Sequence, residues 1–292
     1  MPRISDAAAP RHLRTALKAS TFRCMGTVIS LTLPSGRAAK GTALEGHSTE
    51  GHLAEDELAA TAAVVERLFR ELDQTFSLYR PDSEASRLAR GEITLRGASD
   101  AMRERYAEAL EWRLRTEGAF TPERADGVLD LSGLIKGHAI REAGTSLLAL
   151  GREDWCLNAG GDVLVSGSPV PGTGQPWQAG IVDPADRHTL LAGYPLGNGR
   201  RRRRALATSG SAERGDHIWS PAGAAPAFVQ VSVAAADIVT ADVLATAIIA
   251  GGLPMLDRAT DGWDVDVLAV RADGTLLATP GFRGQGITAI AV

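Results

Sequence analysis

The sequence predicts a fold built from both helices and strands, and three observations carry that prediction. Between Leu58 and Phe76 apolar side chains recur at helical spacing, with Ala62, Val65, Leu68 and Leu72 on one face. From Val128 to Val165 the chain reads as strand, helix and strand. Beyond Val165 short β-favouring runs alternate with Gly/Pro turns.

Taken in order, residues 1–20 read as a disordered lead and residues 21–292 as a single domain. Thr21–Leu33 predicts a strand broken at Gly26 by a bulge or a close backbone approach. Ser35–Glu55, rich in Gly, Ser, Thr and Ala, predicts a long loop; His47 and His52 lie there without a third ligand at metal spacing. The Leu58–Phe76 helix follows, then a turn fixed by Pro81 with Asp82 or Ser83 as cap. A second helix spans Ser99–Arg115 and Gly118 closes it.

Val128–Leu131 is β-favouring, and Ser132 can cap a helix whose face is marked by Ile135, Ala139, Ala143 and Leu147. Gly151 ends that helix. Strands are expected at Trp155–Leu157, Val163–Val165, Trp177–Val182, Thr189–Ala192, Arg204–Ala207 and Ala227–Val233. Thr240 is the expected N-cap of a helix over Ala241–Ala250. Strands at Asp264–Val270 and Thr275–Ala278, joined at Asp273-Gly274, finish the fold. The run Arg200–Arg204 reads as a solvated edge that discourages strand pairing, with a polyanion contact as the alternative.

Composition narrows the function classes. Hydrophobic residues make up 44% and charged residues 23%, as in ordinary globular proteins. A net charge of −4 gives no global attraction to nucleic acid. No apolar run of spanning length stands out, and residues 1–20 carry no apolar signal core. No small-residue run precedes Cys24, so the expected location is the cytoplasm. Cys24 and Cys156 are the only two cysteines and are expected to be free thiols.

Two stretches carry chemistry. A helix start offers free N–H groups and a positive dipole end, and Lys136 in that first turn is electrostatically misplaced unless an anion compensates it. Gly133 and Gly137 bracket it. The bland alternative is a surface lysine on an ordinary helix. Asp242 and Thr246, four apart, share a helix face. A carboxylate and a hydroxyl form a hard-oxygen pair suited to Mg²⁺. The alternative is an acid meeting the dipole and a threonine bonding back to a carbonyl.

Five pieces together resemble one family. They are Met25-Gly-Thr27, Tyr79-Arg-Pro-Asp-Ser-Glu84 with Ser86-Arg-Leu88, Asp130-Leu-Ser-Gly-Leu-Ile-Lys-Gly137, Asn158-Ala-Gly-Gly-Asp162 and Thr240-Ala-Asp-Val-Leu-Ala-Thr-Ala247. Ala207-Thr-Ser-Gly210 and His217-Ile-Trp-Ser-Pro221 add weaker matches. Their order and spacing resemble the ApbE family of FAD:protein FMN transferases. The resemblance implies an α+β fold with a mixed β-sheet core, T-fold-like in architecture, with flanking helices. It implies FAD as substrate, Mg²⁺ at the pyrophosphate, an acceptor flavoprotein carrying a target threonine, and AMP as product. By the same resemblance the metal ligands fall on the Gly133 carbonyl, Asp242 and Thr246. The flavin nucleotide meets Met25, Tyr79, the Ala119-Phe120-Thr121 backbone, Asp130, Lys136 and Ile218. His217 falls where the family has a histidine near the reaction centre, and an acid/base role is expected of it.

The chain also departs from the family. Ala89 replaces an asparagine, Thr121 an aspartate and Ser220 an acid, and the segment before the Asp130 motif shrinks to Glu123–Gly127. These changes fall at the flavin end and spare the pyrophosphate end. Two alternatives therefore stay open: an FAD pyrophosphatase yielding FMN and AMP, and a non-catalytic FAD-binding protein.

Overall fold

The computed structural model describes residues 16–35, 49–186, 188–197, 203–210 and 227–283. Ten strands and six helices appear among them: β1 Ala16–Cys24, β2 Thr27–Ser35, α1 Thr49–Phe76, α2 Glu84–Ala89, α3 Asp100–Arg115, α4 Ser132–Ala149, β3 Trp155–Ala159, β4 Asp162–Ser166, β5 Trp177–Val182, β6 Leu190–Leu196, β7 Ala205–Gly210, β8 Gln230–Ala235, α5 Ile238–Gly262, β9 Asp266–Val270, β10 Leu276–Ala278 and α6 Pro280–Arg283.

Eight strands form one sheet in the order β1-β2-β3-β4-β7-β8-β9-β10, and β5-β6 is a separate hairpin. The α+β class is as the sequence predicts. Where a mixed sheet is expected, however, every described strand pair is antiparallel. Helices α1, α4 and α5 cover one face, burying Phe69, Leu134, Ile140, Leu147, Leu244 and Ile248 against Leu31 and Val233 of the sheet. The β5-β6 hairpin and α6 cover part of the other face through Trp177, Leu196, Phe282 and Leu268. Strand β8 is buried at every residue for this reason, having helix on one side and hairpin on the other.

Several expectations need correction. The first strand starts at Ala16, inside the stretch read as a lead. The proposed break at Gly26 is a two-residue hairpin turn: Cys24 pairs with Thr27, and Met25 and Gly26 have φ of 49° and 71°. Positive φ at both central residues is the turn geometry that matches strand twist. The Ser35–Glu55 loop gives way to α1 from Thr49 onward; His47 lies outside the described residues, as does the side chain of His52. Val128–Leu131 contributes only an isolated bridge, Glu123 to Leu129, because Glu123–Gly127 folds into a tight turn closed by Arg124 N–H to Val128 O at 2.9 Å.

Helix α5 is long and apolar enough to span a bilayer by length and composition alone, but most of its apolar stretch is buried inside this fold. It kinks at Gly252, near the predicted end at Ala250.

The arginine run also reads differently in three dimensions. Arg200 to Arg202 lie outside the described residues, but Arg203 is 4% exposed. Its guanidinium meets Asp264 at 2.6 Å and Asp266 at 3.0 Å, and Tyr194 donates to Asp266 at 2.7 Å. Burial, and then the bond to Asp266, push the Tyr194 phenol well above its usual range. At this position the arginine ties the entry to β7 to Asp264 and to Asp266 of β9, Tyr194 ties the β5-β6 hairpin to the same Asp266, and no solvated edge forms.

Candidate functional site where two helix starts meet

Helices α4 and α5 begin on the same side of the sheet and cross at close range. At Gly137 an added Cβ would lie 3.1 Å from the Cα of Val239 and 3.5 Å from the Cβ of Asp242. Only glycine allows that approach without displacement. Neither helix is capped as predicted. Ser132 is the first residue of α4, and its N–H donates to Asp130 Oδ1 at 2.9 Å. Asp237 caps α5 by accepting from Thr240 N–H at 2.9 Å, so Thr240 is the capped residue and not the cap. In both cases an acid two or three residues upstream reaches the orphan N–H groups first.

The crossing brings Lys136 and Asp242 together. Lys136 Nζ lies 3.9 Å from Asp242 Oδ1 and 2.5 Å from Asp162 Oδ2. Asp242 and Asp162 are almost fully buried, while the lysine keeps 17% of its side chain exposed. Asp162 ends the Asn158-Ala-Gly-Gly-Asp162 stretch, where Gly161 N–H donates to Asn158 Oδ1 at 2.9 Å. Its other oxygen, Oδ1, accepts from Thr208 N–H at 3.0 Å. The carboxylate is thus held by a hydrogen bond at Oδ1 and faces the ammonium as an ion pair at Oδ2. Sequence reasoning placed Asp162 in a motif but gave it no role; the signal was the acid closing a Gly-Gly turn.

Thr246, one helical turn beyond Asp242, has its hydroxyl 3.2 Å from Ser209 Oγ on β7. Gly133 lies in the first turn of α4. Among the described residues no cluster of three or more His, Cys, Asp or Glu is gathered. A divalent ion here would rest on one carboxylate, one hydroxyl and a backbone carbonyl, with the remaining positions filled by ligand and water oxygens. That donor set is hard throughout and fits Mg²⁺.

The other expected residues sit in turns and loops of the fold. The Met25-Gly26 turn abuts the β3-β4 turn, where Gly160 N–H donates to Val28 O at 3.1 Å. Tyr79 stands 83% exposed beside it, in the loop whose Arg80 pairs with Asp73 at 3.5 Å. Arg80 and Asp73 are both close enough to act on the Cys24 thiol, which burial pushes up first and Asp73 further. Ala119 packs toward Gly251 of α5, Phe120 is 4% exposed and Thr121 is exposed. Asp130 N–H donates to Pro122 O at 2.7 Å, so this segment and the α4 start are tied together. His217 and Ile218 lie outside the described residues.

A cleft of about 460 Å³ lies elsewhere. It is lined by Lys18, Ser35, Glu57, Arg152 and Asp154, at the end of β1-β2 away from the Met25 turn and beyond the C-terminal end of α4. The converging buried charges, and not cavity size, mark the candidate site.

The family model for the ApbE family matches residues 25–128 and 121–265. The FAD:protein FMN transferase of Rhodobacter capsulatus is 34% identical over 168 residues, which is 54% of this chain and 31% of that protein. The match therefore spans about a third of that relative's length. The flavin transferase ApbE from Vibrio cholerae superposes with a TM-score of 0.70 at 20% identity, covering 94% of this chain and 100% of that one. The ApbE protein from Thermotoga maritima gives 0.69 at 18% identity, covering 92% and 99%. These two likenesses speak for the fold, and the family model for descent. Since that model covers most of the sequence, including the starts of both crossing helices, the chain belongs to the ApbE family.

Proposed function

We propose that this protein transfers FMN from FAD to a threonine hydroxyl of an acceptor protein, with Mg²⁺ as cofactor and AMP as the leaving group. The observation that carries the reading is the convergence of Lys136 with two buried carboxylates, Asp162 at 2.5 Å and Asp242 at 3.9 Å. An ammonium fixed by one acid beside a second acid and a hydroxyl can grip a diphosphate and a divalent ion together.

Gly133, Asp242 and Thr246 would hold the Mg²⁺. When bound, it supplies Lewis-acid polarisation of the diphosphate and compensates its charge. Lys136 meets the same phosphates from the α4 side and stabilises the charge that grows on the leaving AMP. Asp162 keeps the ammonium from rotating away. The threonine Oγ forms a bond to the flavin-side phosphorus as the bond from that phosphorus to the bridging oxygen breaks. AMP leaves with the bridging oxygen, and the hydroxyl proton passes to His217 as base. Met25, Tyr79, Asp130, Ile218 and the backbone of Ala119 to Thr121 position the nucleotide.

Incubation with FAD and Mg²⁺, with and without an acceptor flavoprotein carrying a target threonine, tests this. AMP release that depends on the acceptor, with flavin bound covalently to it, supports the proposal. AMP released equally without acceptor would make the protein a pyrophosphatase. A tight yellow complex without AMP would make it a binder. Asp242→Ala should lower Mg²⁺-dependent turnover by at least about a hundredfold with the fold retained, and undiminished turnover would remove the metal assignment.

A further inference from the structure

Next to the α4-α5 crossing lies a buried histidine that the chemistry above does not use. His138, on α4, is 0% exposed. Its Nε2 lies 3.0 Å from Glu108 Oε1 and 2.9 Å from Oε2, on α3. Its Nδ1 lies 2.9 Å from a terminal nitrogen of Arg141, on its own helix. Arg105 of α3 completes the group, pairing with Glu108 at 2.7 Å and reaching 3.5 Å from Nε2. Beyond Arg141, at 4.0 Å, stands Asp237, the N-cap of α5.

The donor and acceptor roles follow from the partners. A guanidinium only donates and an ionised carboxylate only accepts. Nε2 therefore carries a hydrogen donated to Glu108, and the Arg141 nitrogen, also 3.5 Å from Nε2, lies against the ring face. A chain of polar contacts then runs from α3 through His138 and Arg141 to the first turn of α5. It brackets the crossing closely: His138 adjoins Gly137, and Asp237 is two residues from Val239, the pair in closest approach.

We infer that His138, with its hydrogen on Nε2, is a positioning residue that sets the α4-α5 crossing and thereby the placement of Lys136 against Asp242. Its functional consequence rests on the reading of those two groups as the phosphate and metal ends of the site. Its structural content stands without that reading, and the test separates the two.

The direct readout is the Lys136 ammonium, followed by NMR in ¹⁵N-lysine-labelled protein and assigned by its loss in Lys136→Gln. His138→Phe keeps the buried volume and leaves Glu108 its Arg105 partner. It should shift or broaden the Lys136 signal and weaken FAD binding at fixed Mg²⁺ on the order of tenfold. His138→Asn keeps an N–H donor for Glu108 and should recover most of both. Long-range ring ¹⁵N spectra of the wild-type protein should show the hydrogen on Nε2. Should the phenylalanine variant fail to fold, Arg141→Met cuts the same connection at a side chain that is 42% exposed. An unmoved Lys136 signal in the folded variant, or a hydrogen on Nδ1 and none on Nε2, overturns the inference. Failure of the wild-type protein to bind FAD would count against the transferase reading, and the lysine comparison would still decide the role of His138.

Discussion

Gly137→Ala is the most discriminating single change at the site, because it should separate activity from stability. The added methyl would lie 3.1 Å from Val239 Cα, 3.4 Å from Val239 Cγ2 and 3.5 Å from Asp242 Cβ. Carbon–carbon contacts settle at about 3.5–4.0 Å, so α4 and α5 must part by a few tenths of an ångström. Overpacking of this kind costs about 1–3 kcal/mol. Replacing glycine by alanine inside a helix returns about 1 kcal/mol. The net loss should be about 0–2 kcal/mol, a fall in melting temperature of a few degrees for a domain of this size. Activity has no such compensation. The strain falls between the residue after Lys136 and the backbone three residues before Asp242, and a misplacement near 1 Å can cost about a hundredfold in rate. Acceptor-dependent AMP release should therefore drop on the order of tenfold while the melting temperature falls by no more than a few degrees. Parallel measurement of both in the same preparation is the assay. A variant with wild-type turnover and wild-type Mg²⁺ dependence would refute the claim that this crossing sets the site.

Three other predictions follow from the same structure. Arg203→Met strips Asp264 and Asp266 of their guanidinium partner and should destabilise the fold by about 3–5 kcal/mol, read from the urea midpoint; a loss below about 1 kcal/mol would mean the pair is dispensable. Burial pushes the Cys156 thiol up to about 12, so at pH 8 it should stay unlabelled by a thiol reagent in the native protein, checked by mass spectrometry against the denatured chain. Burial alone would raise the Glu108 carboxyl, but its bonds to His138 and Arg105 outweigh this and leave it below the usual 4.5. With the folded value lowered, the stability this group contributes is fully present above the unfolded value and is lost as the pH falls through the folded one. The stability difference between wild type and Glu108→Gln should accordingly be largest near neutrality and shrink below about pH 4.5, and a difference that grows on acidification would reverse the sign of the argument.

What could be read in the sequence, and what could not, divides along local against distant physics. The helical faces at Ala62 to Leu72 and Ile135 to Leu147 were legible because periodicity is a local property, and burial of Val65, Ile135, Ala139 and Leu147 follows it. Lys136 and Asp242 were legible as an anomaly, a cation and a hard-oxygen pair at helix starts, and they meet within 3.9 Å. The caps were misplaced: α4 starts after Leu131 with no side-chain cap from that residue, and Asp237 and Thr240 are equally good cap residues in one dimension. Only the chain path decides which side chain reaches the orphan N–H. Met25 gave no turn signal because a methionine with φ of 49° goes against its own preference and is held there by the strands it joins. Arg203 was hidden in a run whose average reads as solvent, while its partners Asp264 and Asp266 lie about sixty residues on. Asp162 and His138 were the furthest from reach. Their roles depend on Lys136, Glu108 and Arg141 as neighbours in space, and a buried charge declares its function only through what has been placed against it.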